Sequence, residues 1–317
     1  MTPKERRSGA KVARPKGHFA KPLDRPARQG GPPPLKGDRH GPDAAVSKAF
    51  SAEVAGALSA PQLNKGGEAA RGGSAQKTRQ NTARFWLYGT HAAKAALANP
   101  RRKIHRILAT DRTRELLPAQ ARAEVLTSDD ISRLLPQGAV HQGIALLCEP
   151  LSGLNLEDEI GLKPPGGRLV VVLDQVTDPH NEGAILRSAA AFGAAAVIVQ
   201  DRHAPPESGV LAKAASGALD LVPRIQVVNI ARTLERLGRM GFWRIALASD
   251  GDSTLAQAAT KGDTALVLGA EGQGLRRLVR EHCDVSAHIP VAHQIGSLNV
   301  SNAAAIALYE LNKIGKS

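Results

Sequence analysis

Six short, uninterrupted apolar runs separated by helix-like segments predict an α/β protein with a mostly parallel sheet and helices on both faces. The runs are RLVVVLDQ, AAAVIVQ, LVPRIQVV, WRIALAS, TALVLGA and VSAHIPVA. RLVVVLDQ, AAAVIVQ and TALVLGA hold consecutive apolar residues rather than the alternation of a strand with one wet face, and the six runs are read as strands of a sheet covered on both sides. Between them, GAILRSAAAFG, ARTLERLGRM, GLRRLVREHC and the final SLNVSNAAAIALYELNK carry helical apolar spacing.

A smaller α/β unit is expected ahead of this sheet, over residues 85–150. It begins at FWLY, three aromatics in four residues, followed by a helix pattern after Thr90, a candidate N-cap. KIHRILAT then reads as a strand, TRELLPAQAR as a broken helix, AEVLT as a strand, SDDISRLL as a helix capped by Ser128, and HQGIALLCEP as a closing strand. Residues 151–167, ending in Pro and Gly, read as a linker to the larger unit over 168–317.

Residues 1–84 belong to neither unit. They are rich in Pro, Gly, Lys and Arg, and without a sustained apolar period they cannot offset the entropy of ordering, so a disordered basic tail is expected. This tail holds 17 Lys+Arg and 6 Asp+Glu, leaving 25 against 23 for the rest of the chain. The net charge of +13 is thus concentrated in the tail. Such an arm attracts polyanions by counterion release without reading sequence. Pro3, Pro15, Pro22 and Pro26 argue against the amphipathic helix of an organellar transit peptide.

Cys148 and Cys283 lie too far apart in sequence to suggest a disulfide framework or a paired-cysteine zinc site, which points to a reducing compartment. No run has the length of a membrane span and the N-terminus lacks the apolar core of a secretory signal. A soluble, cytoplasmic protein is expected.

Parallel sheets bind ligands beyond the carboxyl ends of their strands. Three polar, glycine-bearing loops fall there: DQVTDPHNEGAILRSA, LGAEGQGLRR and IPVAHQIGSLNVSNAAA. In the first, Asn181 is placed to open a helix, Gly183 permits close backbone approach, and Arg187 follows more than one turn later. Read singly, Asn181 is a cap and Arg187 a surface arginine. The second loop places Gly269, Gly272 and Gly274 before a helix. It lacks the Lys-Ser/Thr of a phosphate-binding P-loop and the spacing of a dinucleotide fingerprint, which disfavours a kinase or a nicotinamide-dependent dehydrogenase. Glu271 would repel phosphate and suits a cationic or hydroxyl-bearing ligand. The third loop carries Ser297, Asn299, Ser301 and Asn302, more neutral hydrogen-bonding side chains than capping alone requires. His282, His288 and His293 with Cys283 match no metal-ligand spacing, so no metal is expected. Ser297 lacks the glycine-flanked turn of a hydrolase nucleophile.

In this order the three loops resemble the three signature motifs of the SpoU (TrmH) family of RNA ribose 2'-O-methyltransferases, a resemblance covering about residues 168–312. The smaller unit is similar to the L30e-like substrate-binding domain of the ribosomal branch. VREHCDVSAHIPVA and VTDPHN favour the subgroup that methylates a guanosine ribose in 23S rRNA. A tRNA ribose methyltransferase and an inactive RNA-binding ribosome assembly factor stay open as alternatives.

The resemblance implies a trefoil-knotted (SPOUT) sheet, S-adenosyl-L-methionine as cofactor, an RNA substrate, and a homodimer with its active site at the subunit interface. It places the cofactor near Gly269, Ile289 and Leu298. Arg187 is the implied principal catalytic residue, with Asn181, Glu271, Ser297 and Asn299 orienting it and the ribose. Arginine stays protonated below about pH 12, so Arg187 is expected to stabilise a developing alkoxide rather than act as a general base. Glu182 departs from the family's usual apolar residue and is expected to put negative charge beside the RNA site. Arg101, Arg102, Lys103, His105 and Arg106 form the densest basic cluster of the folded part, read either as an rRNA grip or as a solvated turn.

Overall fold

The computed structural model describes residues 84–161, 166–292 and 297–315. The expected tail, apart from Arg84, lies outside the described residues, as does His293. The smaller sheet is built from β1 (Phe85–Tyr88), β2 (Ile104–Ala109), β3 (Glu124–Val125) and β4 (Ile144–Cys148), with α1 (Thr90–Ala98), α2 (Asp111–Arg114) and α3 (Ser128–Leu134) between them. Its order is β1-β4-β2-β3, with β4 antiparallel to both neighbours and β2–β3 parallel. The FWLY run is the strand β1, with Leu87 and Tyr88 turned into the core.

Two expected caps move by one residue. Thr127, not Ser128, caps α3, its hydroxyl accepting the Asp130 amide at 3.2 Å. Thr90 is the first residue of α1, and Gly89 stands at the cap position. The segment read as a linker contains a short helix, α4 (Leu156–Gly161), whose Leu156 and Ile160 are buried.

Among the described residues the large sheet has seven strands. Six are the predicted ones: β5 (Leu169–Asp174), β6 (Ala196–Gln200), β7 (Arg224–Val227), β8 (Trp243–Leu247), β10 (Thr264–Gly269) and β11 (Val285–His288). The two-residue β9 (Ser253–Thr254) extends one edge. The order is β7-β6-β5-β10-β8-β11-β9, and every paired neighbour is parallel. The helices are α5 (Pro179–Ala191), α6 (Gly209–Ala215), α7 (Ala218–Leu221), α8 (Ile230–Arg239), α9 (Leu255–Ala258), α10 (Arg277–Glu281) and α11 (Val300–Gly315).

Successive residues of one strand enter different cores, as a sheet covered on both faces requires. Val171, Leu173, Leu266 and Leu268 pack with Ile185 of α5 and with Ala304 and Leu308 of α11. Val170, Val172 and Val267 pack with Leu234 and Leu237 of α8 and with Leu156 and Ile160 of α4. The first core continues into the smaller sheet, where Leu87, Ile144 and Leu146 share a cluster with Leu211 and Leu219 of α6 and α7. A Cβ on Gly209 would lie 2.2 Å from the Tyr88 ring, so α6 starts directly against β1.

This junction decides the fate of the basic cluster. The Arg102 side chain is fully buried, donating to Asp220 Oδ1 at 2.8 Å, Glu207 Oε2 at 2.7 Å and the Glu149 carbonyl at 3.0 Å. Burial alone would lower its pKa, but the carboxylates of Glu207 and Asp220 hold it above the ordinary arginine value. Arg101 pairs with Glu159, Lys103 and His105 with Glu149, and Arg106 with Glu124. The cluster is therefore largely matched by internal carboxylates, and Arg102 is a structural residue rather than an RNA contact. Exposed Arg112 and Arg114 of α2 have no ion pair among the described residues.

Glu182 likewise does not face the strand-end loops. One helical step beyond Asn181 turns a side chain by about 100°, and here that step points it inward, where it is wholly buried and paired with Arg224 of β7. Burial raises the Glu182 pKa and the Arg224 guanidinium opposes the rise. Arg224 also donates to the Pro205 carbonyl at 2.8 Å. Glu182→Gln leaves this guanidinium without its countercharge and is expected to destabilise the protein by about 3–5 kcal/mol in urea unfolding. The double substitution Glu182→Leu with Arg224→Met should recover most of that loss; equal destabilisation by both variants would contradict the pairing account.

Candidate active site

Because all strands run one way, their carboxyl ends share one edge of the sheet. β5 and β10 are neighbours in register, with Asp174 opposite Gly269, so the loop after each starts side by side. The first loop leads into α5, whose N-cap is Asp178, its carboxylate accepting the His180 amide at 2.9 Å. Pro179 takes the first helical position, where no donor is needed. Asn181 is thus in the first turn of α5 rather than at its cap. Gly183 serves helix packing: a Cβ there would lie 2.5 Å from Ala214 of α6 and 3.0 Å from the Leu211 carbonyl.

The loop after β10 turns back on itself through an Ala270–Gly274 bridge, with the Gly274 amide on the Ala270 carbonyl at 3.0 Å. Gly269 makes this turn possible, since a Cβ on it would stand 2.2 Å from the Gly274 carbonyl carbon. Glu271 sits on the turn.

The third loop ends at Asn299, which caps α11. Its Oδ1 accepts from the Ser301 amide at 2.9 Å, the Ser301 hydroxyl at 2.6 Å and the Asn302 amide at 3.4 Å. Those donors fix the amide's orientation and turn its Nδ2 outward. This Nδ2 donates to Glu271 Oε1 and, at 3.1 Å, to Asn181 Oδ1. Asn181 Nδ2 completes a triangle by donating to Glu271 Oε1 at 3.2 Å. One residue from each loop therefore meets at one point, although Asn181 and Asn299 are 118 residues apart.

Beside the triangle lies a cleft of about 680 Å³. Gly269, Ile289 and Leu298 line it together with Glu271, Ser297 and Asn299, and Leu247 and Leu268 add apolar wall. The arrangement offers a concave apolar slot with a carboxylate and amides at one side, suited to a ligand that has an apolar body and a cationic or hydroxyl group. Arg187 stands apart from this network on α5, exposed and making no hydrogen bond or ion pair with another described residue. Its guanidinium is thereby free for a partner outside the chain.

The histidines have local partners. His282 donates Nδ1–H to the Leu278 carbonyl at 2.7 Å and its Nε2 lies 2.9 Å from Glu235, while His288 Nδ1 meets the Gly251 carbonyl at 2.9 Å. Burial pushes the thiols of Cys148 and Cys283 up to about 12, far from a reactive thiolate. Sequence reasoning passed over Asp174 and Arg276, a buried carboxylate and its partner at the base of the loops; the only signal was an acidic residue closing an otherwise apolar strand.

Known proteins resemble this chain in sequence and in fold. The SpoU rRNA Methylase family profile matches residues 168–309, and the profile for RNA 2'-O ribose methyltransferase substrate binding matches residues 86–153. A 23S rRNA (guanosine-2'-O-)-methyltransferase, RlmB, of Pseudomonas aeruginosa is 38% identical over 239 residues, 71% of this chain and 94% of that protein. The RlmB of Ralstonia nicotianae is 42% identical over 234 residues, 71% of this chain and 93% of its own length. The chain belongs to the SpoU methylase family. The fold agrees with that of the SpoU methyltransferase AviRb from Streptomyces viridochromogenes, solved in complex with AdoMet, at a TM-score of 0.63 and 23% identity over 85% of this chain and 97% of that one.

Gly269→Ala tests the turn. The added methyl must displace the Gly274 backbone, so the variant is expected to lose about 1–3 kcal/mol of stability and to show faster amide exchange at 270–275 than at β5. Unchanged exchange in that turn would mean that the close contact is easily relieved.

Proposed function

We propose that this chain transfers a methyl group from S-adenosyl-L-methionine to the 2'-hydroxyl of a guanosine ribose in 23S rRNA. The observation that carries this reading is the meeting of Asn181, Glu271 and Asn299 beside a cleft lined by Gly269, Ile289 and Leu298. The identity to RlmB proteins over nearly their whole length supports the 23S rRNA substrate over a tRNA. The presence of the complete triangle argues against an inactive assembly factor.

The cleft fits the cofactor: its volume lies within the range of about 300–1,000 Å³ usual for small-molecule sites, and it joins aliphatic walls to glycine backbone and a carboxylate. Gly269, Ile289 and Leu298 would hold it, and when bound it supplies a methyl group made electrophilic by a sulfonium. What remains for the protein is to align the ribose and ease the loss of its proton. The Arg187 guanidinium stabilises the alkoxide as it develops, and the proton passes to phosphate or water. Glu271, Asn181 and Asn299 act as one preorganised unit that, with Ser297, orients the ribose.

The remaining expectations belong to the same reading. A trefoil knot in the segments around β10 and β11 is supported by the sheet order, in which β10 lies between two strands that precede it in the chain. A homodimer is supported by Ile306 and Tyr309, large side chains exposed on α11 at 45% and 57%. Residues 85–150 would select the RNA and 168–317 perform the chemistry, with the basic tail of residues 1–84 gathering the polyanion. Among the described residues no helix is long and apolar enough to cross a membrane, and the cytoplasm is the compartment of the proposed substrate.

Arg187→Ala should lower methylation of undermethylated 23S rRNA by at least about 100-fold while calorimetry finds cofactor affinity nearly unchanged; parallel loss of both would make Arg187 structural. Mapping ribose methylation in total RNA from cells with and without the gene should reveal one guanosine of 23S rRNA that depends on it. A dependent site in tRNA alone would replace the substrate assignment.

A further inference from the structure

We propose that Arg276 is a positioning residue for methyl transfer, acting through Asp174 to hold the turn that carries Glu271. The inference rests on the role given to Glu271 above. Asp174 is wholly buried at the end of β5, and among the described residues its carboxylate has one partner, Arg276. The Arg276 amide reaches Oδ2 at 3.0 Å, its Nε reaches Oδ1 at 2.8 Å, and its Nη2 forms an ion pair with Oδ1 at 2.5 Å. The same guanidinium donates from Nη2 to Gln200 Oε1, at the end of β6, at 3.0 Å. Arg276 thus arrives from the loop after β10 and fastens it to the ends of the two strands on its other side.

The turn between Gly269 and Arg276 is held at two points. Its entry is set by Gly269, in register with Asp174, and its exit by Arg276 on the carboxylate of that same Asp174. Glu271 lies between, exposed, and receives both Asn181 and Asn299 on one oxygen. Two donors on one oxygen tolerate little displacement of the carboxylate, because hydrogen bonds weaken steeply with distance and angle. Release of the exit would let Glu271 leave the amides. Gly272 and Gly274 of the turn also line the cleft, so cofactor affinity depends on the same fastening. A lysine at this position keeps a cation near Asp174 but lacks the planar fork that holds Asp174 and Gln200 together.

The test compares Arg276→Lys, Glu271→Gln and the double variant in single-turnover methylation of undermethylated 23S rRNA with excess enzyme and S-adenosylmethionine saturating for every variant. Arg276→Lys is expected to slow the step about tenfold, to weaken S-adenosylmethionine binding in calorimetry, to leave RNA affinity within about twofold, and to speed amide exchange at 270–275. If Arg276 works through Glu271, the double variant is no slower than Glu271→Gln alone; multiplied losses, or exchange at 270–275 equal to that of the parent, overturn the proposal. A Glu271→Gln variant with parental rate overturns the assignment of Glu271 itself, a separate outcome. Should Arg276→Lys fail to fold, Asp174→Asn combined with Arg276→Gln removes the buried charge together with its partner, and the same cycle with Glu271→Gln is read from that background.

Discussion

The alignment of β5 and β10 as parallel neighbours is the constraint on which the site depends. Parallel pairing aims both strand ends at the same edge, and the register that sets Gly269 beside Asp174 starts the two loops side by side. Asn181 and Glu271, 90 residues apart in the chain, can then share a hydrogen bond without any long excursion of the backbone. A slip of one residue in this pairing would turn Asp174 to the opposite face of the sheet and remove the anchor of the second loop. The strands owe their register to apolar side chains that fill cores on both faces.

The asparagine network adds a second level of order. Asn299 satisfies free amides at the start of α11 with its oxygen, a task that any good cap performs. Doing so commits its nitrogen to the opposite direction, toward Glu271 and Asn181. A local helix-capping requirement therefore aims a side chain at a site built from residues more than a hundred positions away. Arg187 differs in kind, because its charge has no counterpart among the described residues and is available to a substrate.

β5, β6 and β10 were legible because a strand buried on both faces leaves an unbroken apolar run. The three loops were legible through residue types that fold stability alone does not require. What escaped depends on partners distant in sequence. Helices α6 and α7 come from GVLAKAASGALDL, where small residues blur the helical period. Glu182 reads as a charge beside the site until Arg224, 42 residues on, is seen to face it in the interior. Arg102 reads as part of a basic patch until Glu207 and Asp220 enclose it. Gly183 reads as a ligand approach but makes room for Ala214. For these three residues the local pattern gave a role facing the ligand or solvent, and tertiary packing turned each of them inward.

The buried seat of Arg102 carries a geometric consequence. A smaller sheet joined to its neighbour by a common apolar core and a fully enclosed guanidinium does not swing on a tether. On the proposed reading, RNA held by that sheet meets the methyl donor at a fixed span, so the molecule works as a caliper. On that reading the nucleotide reached would be set by its distance from the point of grip, and the shape of the RNA between those points would matter alongside its bases.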